Sequence, residues 1–347
     1  MSATPVLLSH PSSLEHETGA HPEQSGRIAA ISAELEGRGW LGWERVASPA
    51  VQVETLTAVH TARHVELVRR AAGAGGAQLD PDTVVSAGSY TAALHACGGA
   101  VALVDLLLSG SAPTGFSVAR PPGHHADVGA AMGFCLFNNV AVATRHALQA
   151  HGLERVMVLD WDVHHGNGTN DIFHDDPRVL FVSIHQSPLY PGTGAASDVG
   201  SGSGRGFTVN LPVAPGSGDE VFVSLVAHVA LALAGLFAPQ LVLISAGFDA
   251  HGEDPLAQCS VTEAGFAAMA SAVVGLGDSV GVPFGAVLEG GYALGALARS
   301  VAATMEALGG GGGAAAAGAG GAGDALPVAE ESELALARLA AFWPGLA

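Results

Sequence analysis

The sequence predicts a single α/β domain: a parallel β-sheet flanked by helices on both faces. Three observations predict it. Helical and strand-like patterns alternate from about residue 89 to about residue 308. The strand segments are continuous apolar runs rather than alternating ones, the mark of strands covered on both sides. With 347 residues, 49% of them hydrophobic and 13% charged, the chain has enough apolar surface for one large core.

In chain order, residues 89–110 read as a helix, 116–119 as a strand, 138–151 as a helix and 155–160 as a strand. A short helix fits 167–174 and a strand 179–185, and 207–211 is strand-like. Residues 219–237 read as helix, 241–246 as strand, 262–276 as helix, 284–289 as strand and 294–308 as helix. The apolar run 226–248 is split by Pro239-Gln240 into helix, loop and strand, so it is not a membrane span. Residues 1–60 form a loop-rich start leading into a helix. Residues 309–325 are almost entirely Gly and Ala, a flexible linker by composition, and 330–342 resume a helical pattern. The expected organisation is a catalytic-type domain over 1–308 with a linker and helical tail over 309–347.

Composition excludes some functions. A formal charge of −19, from 13 basic against 32 acidic residues with no Lys or Arg run, argues against a nucleic-acid partner. It suits cationic substrates such as basic peptides or polyamines. Cys97, Cys135 and Cys259 are widely spaced and form no zinc-binding or redox spacing, which suggests a reducing compartment. Residues 1–10 lack an export signal, and the expected location is cytoplasmic, with no membrane partner.

In an open parallel sheet the ligand sits outside the carboxyl ends of the strands. Five predicted strands deliver polar groups there. They run into Arg120-Pro121-Pro122-Gly123-His124-His125, Asp160-Trp161-Asp162-Val163-His164-His165-Gly166-Asn167, His185, Gly247-Phe248-Asp249 and Glu289-Gly290-Gly291-Tyr292. Asp162 and His164 lie two residues apart and face the same way. With Asp249 they form three metal ligands that leave a position open, as catalytic metals require. Two carboxylates and one imidazole suit zinc, and iron, cobalt and manganese also fit such a set. Asp160 would orient a neighbouring histidine. His124 and His125 are the candidate acid/base pair, and Tyr292 the candidate donor to an oxyanion. His95, His146, His151, His174, His228 and His251 read as structural or solvated, and His165 has no assigned role. No serine sits in a nucleophile elbow, and residues 200–206 lack the lysine of a phosphate loop.

These motifs, together with Gly133-Phe134-Cys135, resemble the zinc-dependent histone deacetylase family, in its class II and bacterial deacetylase-like amidohydrolase flavour. The likeness runs from the His21-Pro22-Glu23 region to about residue 308. The resemblance implies the arginase/deacetylase fold and zinc on Asp162, His164 and Asp249. It implies His124 and His125 as tandem acid/base residues supported by Asp160 and Asn167, with Tyr292 on the oxyanion. Gly133, Phe134 and Tyr190 would line a channel for an acyl-lysine stem, with Leu256 at its rim and Asp82 on the substrate backbone. Structural potassium is implied near Asp160 and Ser183, with a second site near Phe173 and Val179. Asn167 stands where class I members have aspartate, giving His125 a neutral partner. Leu256 departs from the acidic residue of polyamine-preferring relatives.

The expected activity is metal-dependent hydrolysis of an acylated amine, most plausibly acetyl-lysine in a peptide or protein. His124 would take the water proton and His125 would protonate the leaving amine. The alternatives are an acetylpolyamine amidohydrolase, a two-manganese ureohydrolase (disfavoured by Gly166 two residues past His164) and a binding protein for acyl-amines without turnover.

Overall fold

The computed structural model describes residues 3–310 and 326–346. The chain opens with β1 (Val6–Ser9), α1 (Gly26–Gly37), β2 (Glu44–Ala47), α2 (Val53–Thr57) and α3 (Ala62–Gly73). A hairpin of β3 (Gly76–Asp80) and β4 (Thr83–Ser86) precedes α4 (Ser89–Leu108) and β5 (Thr114–Ser117). Next come α5 (Asn139–Ala150), β6 (Val156–Asp160), α6 (Asn167–Ile172), β7 (Val179–Gln186) and β8 (Thr208–Val213). α7 (Asp219–Ser224) passes through a π-helical segment, Leu225–Ala230, into α8 (Leu231–Phe237). The rest is β9 (Leu241–Ala246), α9 (Glu263–Val280), β10 (Phe284–Leu288), α10 (Leu294–Leu308) and α11 (Glu330–Leu339).

Eight strands form one sheet in the order β2-β1-β5-β10-β9-β6-β7-β8, every neighbouring pair parallel. Every residue of β6, β7, β9 and β10 is buried, which is why these strands read as unbroken apolar runs. Alternate side chains still go to opposite faces. Met157, Leu159, Val242 and Ile244 join one apolar cluster with Ile31 of α1, Phe266 of α9 and Val301 of α10. Val156, Val158, Leu241 and Leu243 join the other, with Val68 of α3, Leu103 of α4 and Val140 of α5. Helices therefore cover both faces, as the sequence predicts.

The five strands that carry polar ends in the sequence are contiguous in space: β5, β10, β9, β6 and β7. The rest of the sheet is less visible in the sequence. β2 is an edge strand with no buried residue, so no apolar run marks it. β1 and the β3–β4 hairpin are short and fall in the stretch read as loop-rich or left unassigned. The run 226–248 resolves into helix, a left-handed turn at Ala238 and strand β9. Ser89–Leu108 and Asp219–Phe237 are long and apolar enough to cross a membrane by length and composition. Here Leu103 of the first and Phe222 of the second sit in the two apolar clusters. The linker expected from residue 309 lies, from 311 to 325, outside the described residues, and the tail helix docks as α11.

Candidate active site

β6 ends at Asp160, and the chain then turns so that backbone amides replace the ladder. Asp160 accepts the Asp162 N–H at 3.0 Å, and Asp162 accepts the His164 N–H at 2.9 Å. Beyond β9, Asp249 accepts the Val163 N–H at 2.9 Å, which ties the two strand ends together. Beyond β10, the Gly290 N–H donates to Asp162 Oδ2 at 2.8 Å. A Cβ on Gly290 would lie 2.1 Å from Asp249 Oδ2 and 2.5 Å from Asp162 Oδ2, so only glycine admits both carboxylates here.

The predicted metal ligands therefore meet. His164 Nδ1 lies 3.2 Å from Asp162 Oδ1 and 3.0 Å from Asp249 Oδ2, all three residues being buried. Burial alone would lower the His164 imidazole, but the Asp249 and Asp162 carboxylates push it up to about 10. Asp160, Asp162, Asp249 and Glu289 are all wholly buried. Among the described residues no Lys or Arg forms an ion pair with any of them, and only histidines do so. Four buried carboxylates without a fixed cation are very costly unless a positive charge joins them. The donor set thus fits a bound metal cation.

The histidine pair sits beside this set, with ring centroids 4.0 Å apart. His124 Nδ1 lies 3.0 Å from Asp160 Oδ2, and its Nε2 is 3.8 Å from Asp162 Oδ1. Burial opposes its charge, yet the Asp162 and Asp160 carboxylates raise its pKa to about 10. His125 differs. Burial, then the nearby His124 and His164, hold it well below the ordinary histidine value. Its Nδ1 donates to Asn167 Oδ1 at 2.8 Å, and Asn167 Nδ2 donates back to the His125 carbonyl at 3.3 Å. An amide oxygen only accepts, so this bond fixes the tautomer and leaves Nε2 as an open acceptor.

A cavity of about 200 Å³ opens onto this group, lined by Asp82, His125, Gly133, Phe134, His164, Leu189, Tyr190, Leu256 and Tyr292. All five predicted channel residues lie on it, with Leu189 in addition, whereas His124 does not. Gly133 (φ +55°) and Phe134 (φ +69°) are both in the left-handed region, unusual for Phe134. The Thr83 hydroxyl accepts the Phe134 N–H at 3.1 Å, and His21 packs edge-on to the Phe134 ring at 4.6 Å. The β3–β4 hairpin thereby carries Asp82 to the mouth. Burial and the neighbouring Asp80 raise the Asp82 carboxyl.

Three supporting groups are not evident from the sequence in these roles. Glu289 Oε2 accepts the Gly123 and His124 N–H groups at 2.6 and 3.1 Å, and Ser245 donates to its Oε1 at 2.9 Å. Asp254 accepts the Tyr292 N–H at 2.6 Å and the Leu256 N–H at 3.0 Å, linking the oxyanion candidate to the rim. Arg27 donates to the Gly291 carbonyl at 2.7 Å and lies over the Tyr292 ring. Only Glu289 carries a sequence signal, as the first residue after an apolar strand. Of the potassium candidates, Asp160 and Ser183 are register partners on β6 and β7. Phe173 and Val179 bracket a turn through Asp176, whose N–H donates to the Phe173 carbonyl at 3.1 Å. His165 turns away from the metal ligands, with Nδ1 2.7 Å from Thr193 Oγ1 and its ring beside His185.

An open parallel sheet with buried acid and imidazole ligands at its carboxyl edge, and a histidine pair beside a cavity, defines a metal-dependent hydrolase. Comparison with known proteins narrows this class. The sequence model of the histone deacetylase domain matches residues 21–308. Histone deacetylase 14, chloroplastic, of Arabidopsis thaliana is 39% identical, covering 87% of this chain and 76% of its own length. A histone deacetylase-like amidohydrolase of Pseudomonas aeruginosa is 40% identical over 76% of this chain and 68% of its own. The polyamine deacetylase HDAC10 of Homo sapiens is 40% identical over 82% of this chain and 44% of its own. The crystal structure of the HDA15 HD domain superposes with a TM-score of 0.90 at 36% identity, covering 100% of this chain and 97% of that one. The chain belongs to the histone deacetylase family. It is a hydrolytic deacetylase of acylated amines with the arginase/deacetylase fold, and the family implies a catalytic metal.

Proposed function

We propose that this chain removes acetyl or another short acyl group from an amine on an unbranched stem, as in acetyl-lysine of a peptide or protein, with zinc on Asp162, His164 and Asp249. The cavity carries this reading. Its walls of Gly133, Phe134, Leu189, Tyr190 and Leu256 suit a polymethylene stem, and its depth reaches His125, His164 and Tyr292. When bound, zinc (or Fe²⁺ or Co²⁺) supplies Lewis-acid polarisation of the acyl carbonyl and activation of water. His125 Nε2, open toward the cavity, takes the water proton and returns one to the leaving amine. His124, hydrogen-bonded to Asp160 at 3.0 Å, stabilises developing negative charge. This reading moves the proton acceptor from His124, expected from the sequence, to its neighbour. Asp160 and Asn167 orient the pair, the Tyr292 hydroxyl donates to the oxyanion, and Asp82 holds the substrate backbone at the mouth. Potassium near Asp160 and Ser183, and near Phe173 and Val179, would stiffen the β6–β7 ends.

A polyamine substrate is the second reading. The HDAC10 relative is named for it, and the acidic charge of this chain suits a polycation. Leu256 at the rim supplies no carboxylate for a distal ammonium. Zinc-loaded protein should hydrolyse an acetyl-lysine peptide with a higher kcat/KM than acetylspermidine. Preference for acetylspermidine would reverse the substrate assignment, and no turnover of any acyl-amine would overturn the activity.

A further inference from the structure

We propose that Asp105, His146 and His151 form a surface site for a divalent transition metal such as zinc, separate from the catalytic centre. Asp105 is in the last turn of α4, His146 lies near the end of α5, and His151 is the C-cap of α5. α4 leads toward β5 and α5 toward β6, so the three residues lie at the amino edge of the sheet. The catalytic groups lie at the carboxyl edge.

Both imidazoles bring Nε2 to the same oxygen, Asp105 Oδ1, at 2.7 Å each, with ring centroids 5.3 Å apart. The three candidate ligand atoms all lie within 4.8 Å of one another. A tetrahedral zinc with bonds of about 2.0–2.2 Å needs its ligand atoms about 3.3 Å apart, which exposed side chains reach by small rotations. The side chains are 51%, 19% and 31% exposed for Asp105, His146 and His151, so they are free to adjust and solvent can take the remaining position. Two imidazoles and one carboxylate select zinc, nickel or copper over magnesium or calcium.

The helix ends supply a second observation. A carboxylate in the last turn of a helix faces the negative end of the dipole, where a cation is favoured instead. Neither α4 nor α5 places a Lys or Arg in its last turn. Among the described residues Asp105 forms ion pairs only with the two histidines. Two helix C-termini and a carboxylate thus converge on one point, and a bound cation offsets all three. Bound there, the metal clamps the end of α5 to α4.

Equilibrium dialysis against Zn²⁺ with metal analysis tests this on the full chain. The His146→Ala/His151→Ala double variant should bind one equivalent fewer than the wild type, and Asp105→Asn should weaken the same equivalent by tenfold or more. His174→Ala, at a half-buried histidine elsewhere that is paired with Asp198, should leave the count unchanged. Hydrolysis of acyl-lysine by the double variant at one equivalent of zinc should match the wild type. An unchanged zinc count in both site variants would overturn the proposal, as would an equal loss in His174→Ala. The substituted side chains are at the surface, and circular dichroism confirms that each variant is folded before it is counted.

Discussion

Asn167 gives His125 a neutral partner, and an amide cannot stabilise imidazolium as a carboxylate does. In Asn167→Asp a negative charge would accept from the same Nδ1 and raise the His125 pKa. If neutral His125 is the proton acceptor, the acidic limb of the kcat/KM profile moves to higher pH in that variant. An unmoved acidic limb would show that His125 is not the acceptor. Tyr292→Phe removes only a hydroxyl. Loss of one oxyanion donor costs on the order of 10²–10³ in kcat, while the zinc content should stay that of the wild type, since Tyr292 is no ligand. Near-normal turnover would remove Tyr292 from the chemistry. The residues nearest the chemistry were legible in the sequence because strands deliver them in short, dense motifs. Asp254 and Glu289 acquire their roles through backbone amides far along the chain, at Tyr292 and at Gly123 and His124, and no local pattern marks those partners.

Among elements, legibility followed burial and length together, since β1 is buried but only four residues long. β6, β7, β9 and β10 have no exposed residue and stand out as apolar runs, whereas β2 has none buried and is silent. The loop-rich start is also more ordered than its composition suggests, because Glu23 anchors it. This buried carboxylate pairs with Arg27 of α1, with Arg120 after β5 and with His16. Arg120 also donates to the Ser13 and His16 carbonyls at 2.7 and 3.1 Å, and Arg27 reaches the β10 loop behind Tyr292. Burial would raise the Glu23 carboxyl, but hydrogen bonds from His16 and Arg120 and the Arg120 charge hold it well below its ordinary value of 4.5. A carboxyl depressed in the folded state stabilises fully above its unfolded pKa and loses that contribution as pH falls. Wild-type stability should therefore drop as pH falls below about 4.5. Glu23→Gln should be less stable by about 3–5 kcal/mol at neutral pH, because two arginines are left buried without their carboxylate. It should also show less of the acid-dependent loss. Urea denaturation at pH 7 and pH 4 measures both, and equal pH dependence in the two proteins would exclude Glu23 as the source.

For the whole molecule, the tail helix matters at the sheet edge. Among the described residues β8 has β7 as its only strand neighbour, so its outer side would present unpaired backbone groups, a template for association. The tail caps part of that side. Arg338 donates to the Asn210 carbonyl at 2.9 Å, and the Trp343 indole N–H to the Gly206 carbonyl at 2.9 Å. Trp343 packs on Phe207 and Phe237 at centroid distances of 5.2 and 6.3 Å, and Ser224 holds Ser332 and the Ala329 N–H. The composition of 309–347 predicts a linker and a helix but gives no hint of this partner, since the contacts join residues more than a hundred positions apart. None of the nine cavity-lining residues belongs to the tail. Removing residues 326–347 should thus lower the melting temperature by several degrees and produce concentration-dependent association, while the monomer fraction keeps its kcat/KM within about twofold. Trp343→Ala should do the same in milder form, at about 2 kcal/mol for a half-buried aromatic. Calorimetry and size-exclusion chromatography with light scattering read both effects. A truncated chain that melts with the wild type and stays monomeric would mean that β8 protects its own edge, and a large fall in kcat/KM of the monomer would tie the tail to the site instead.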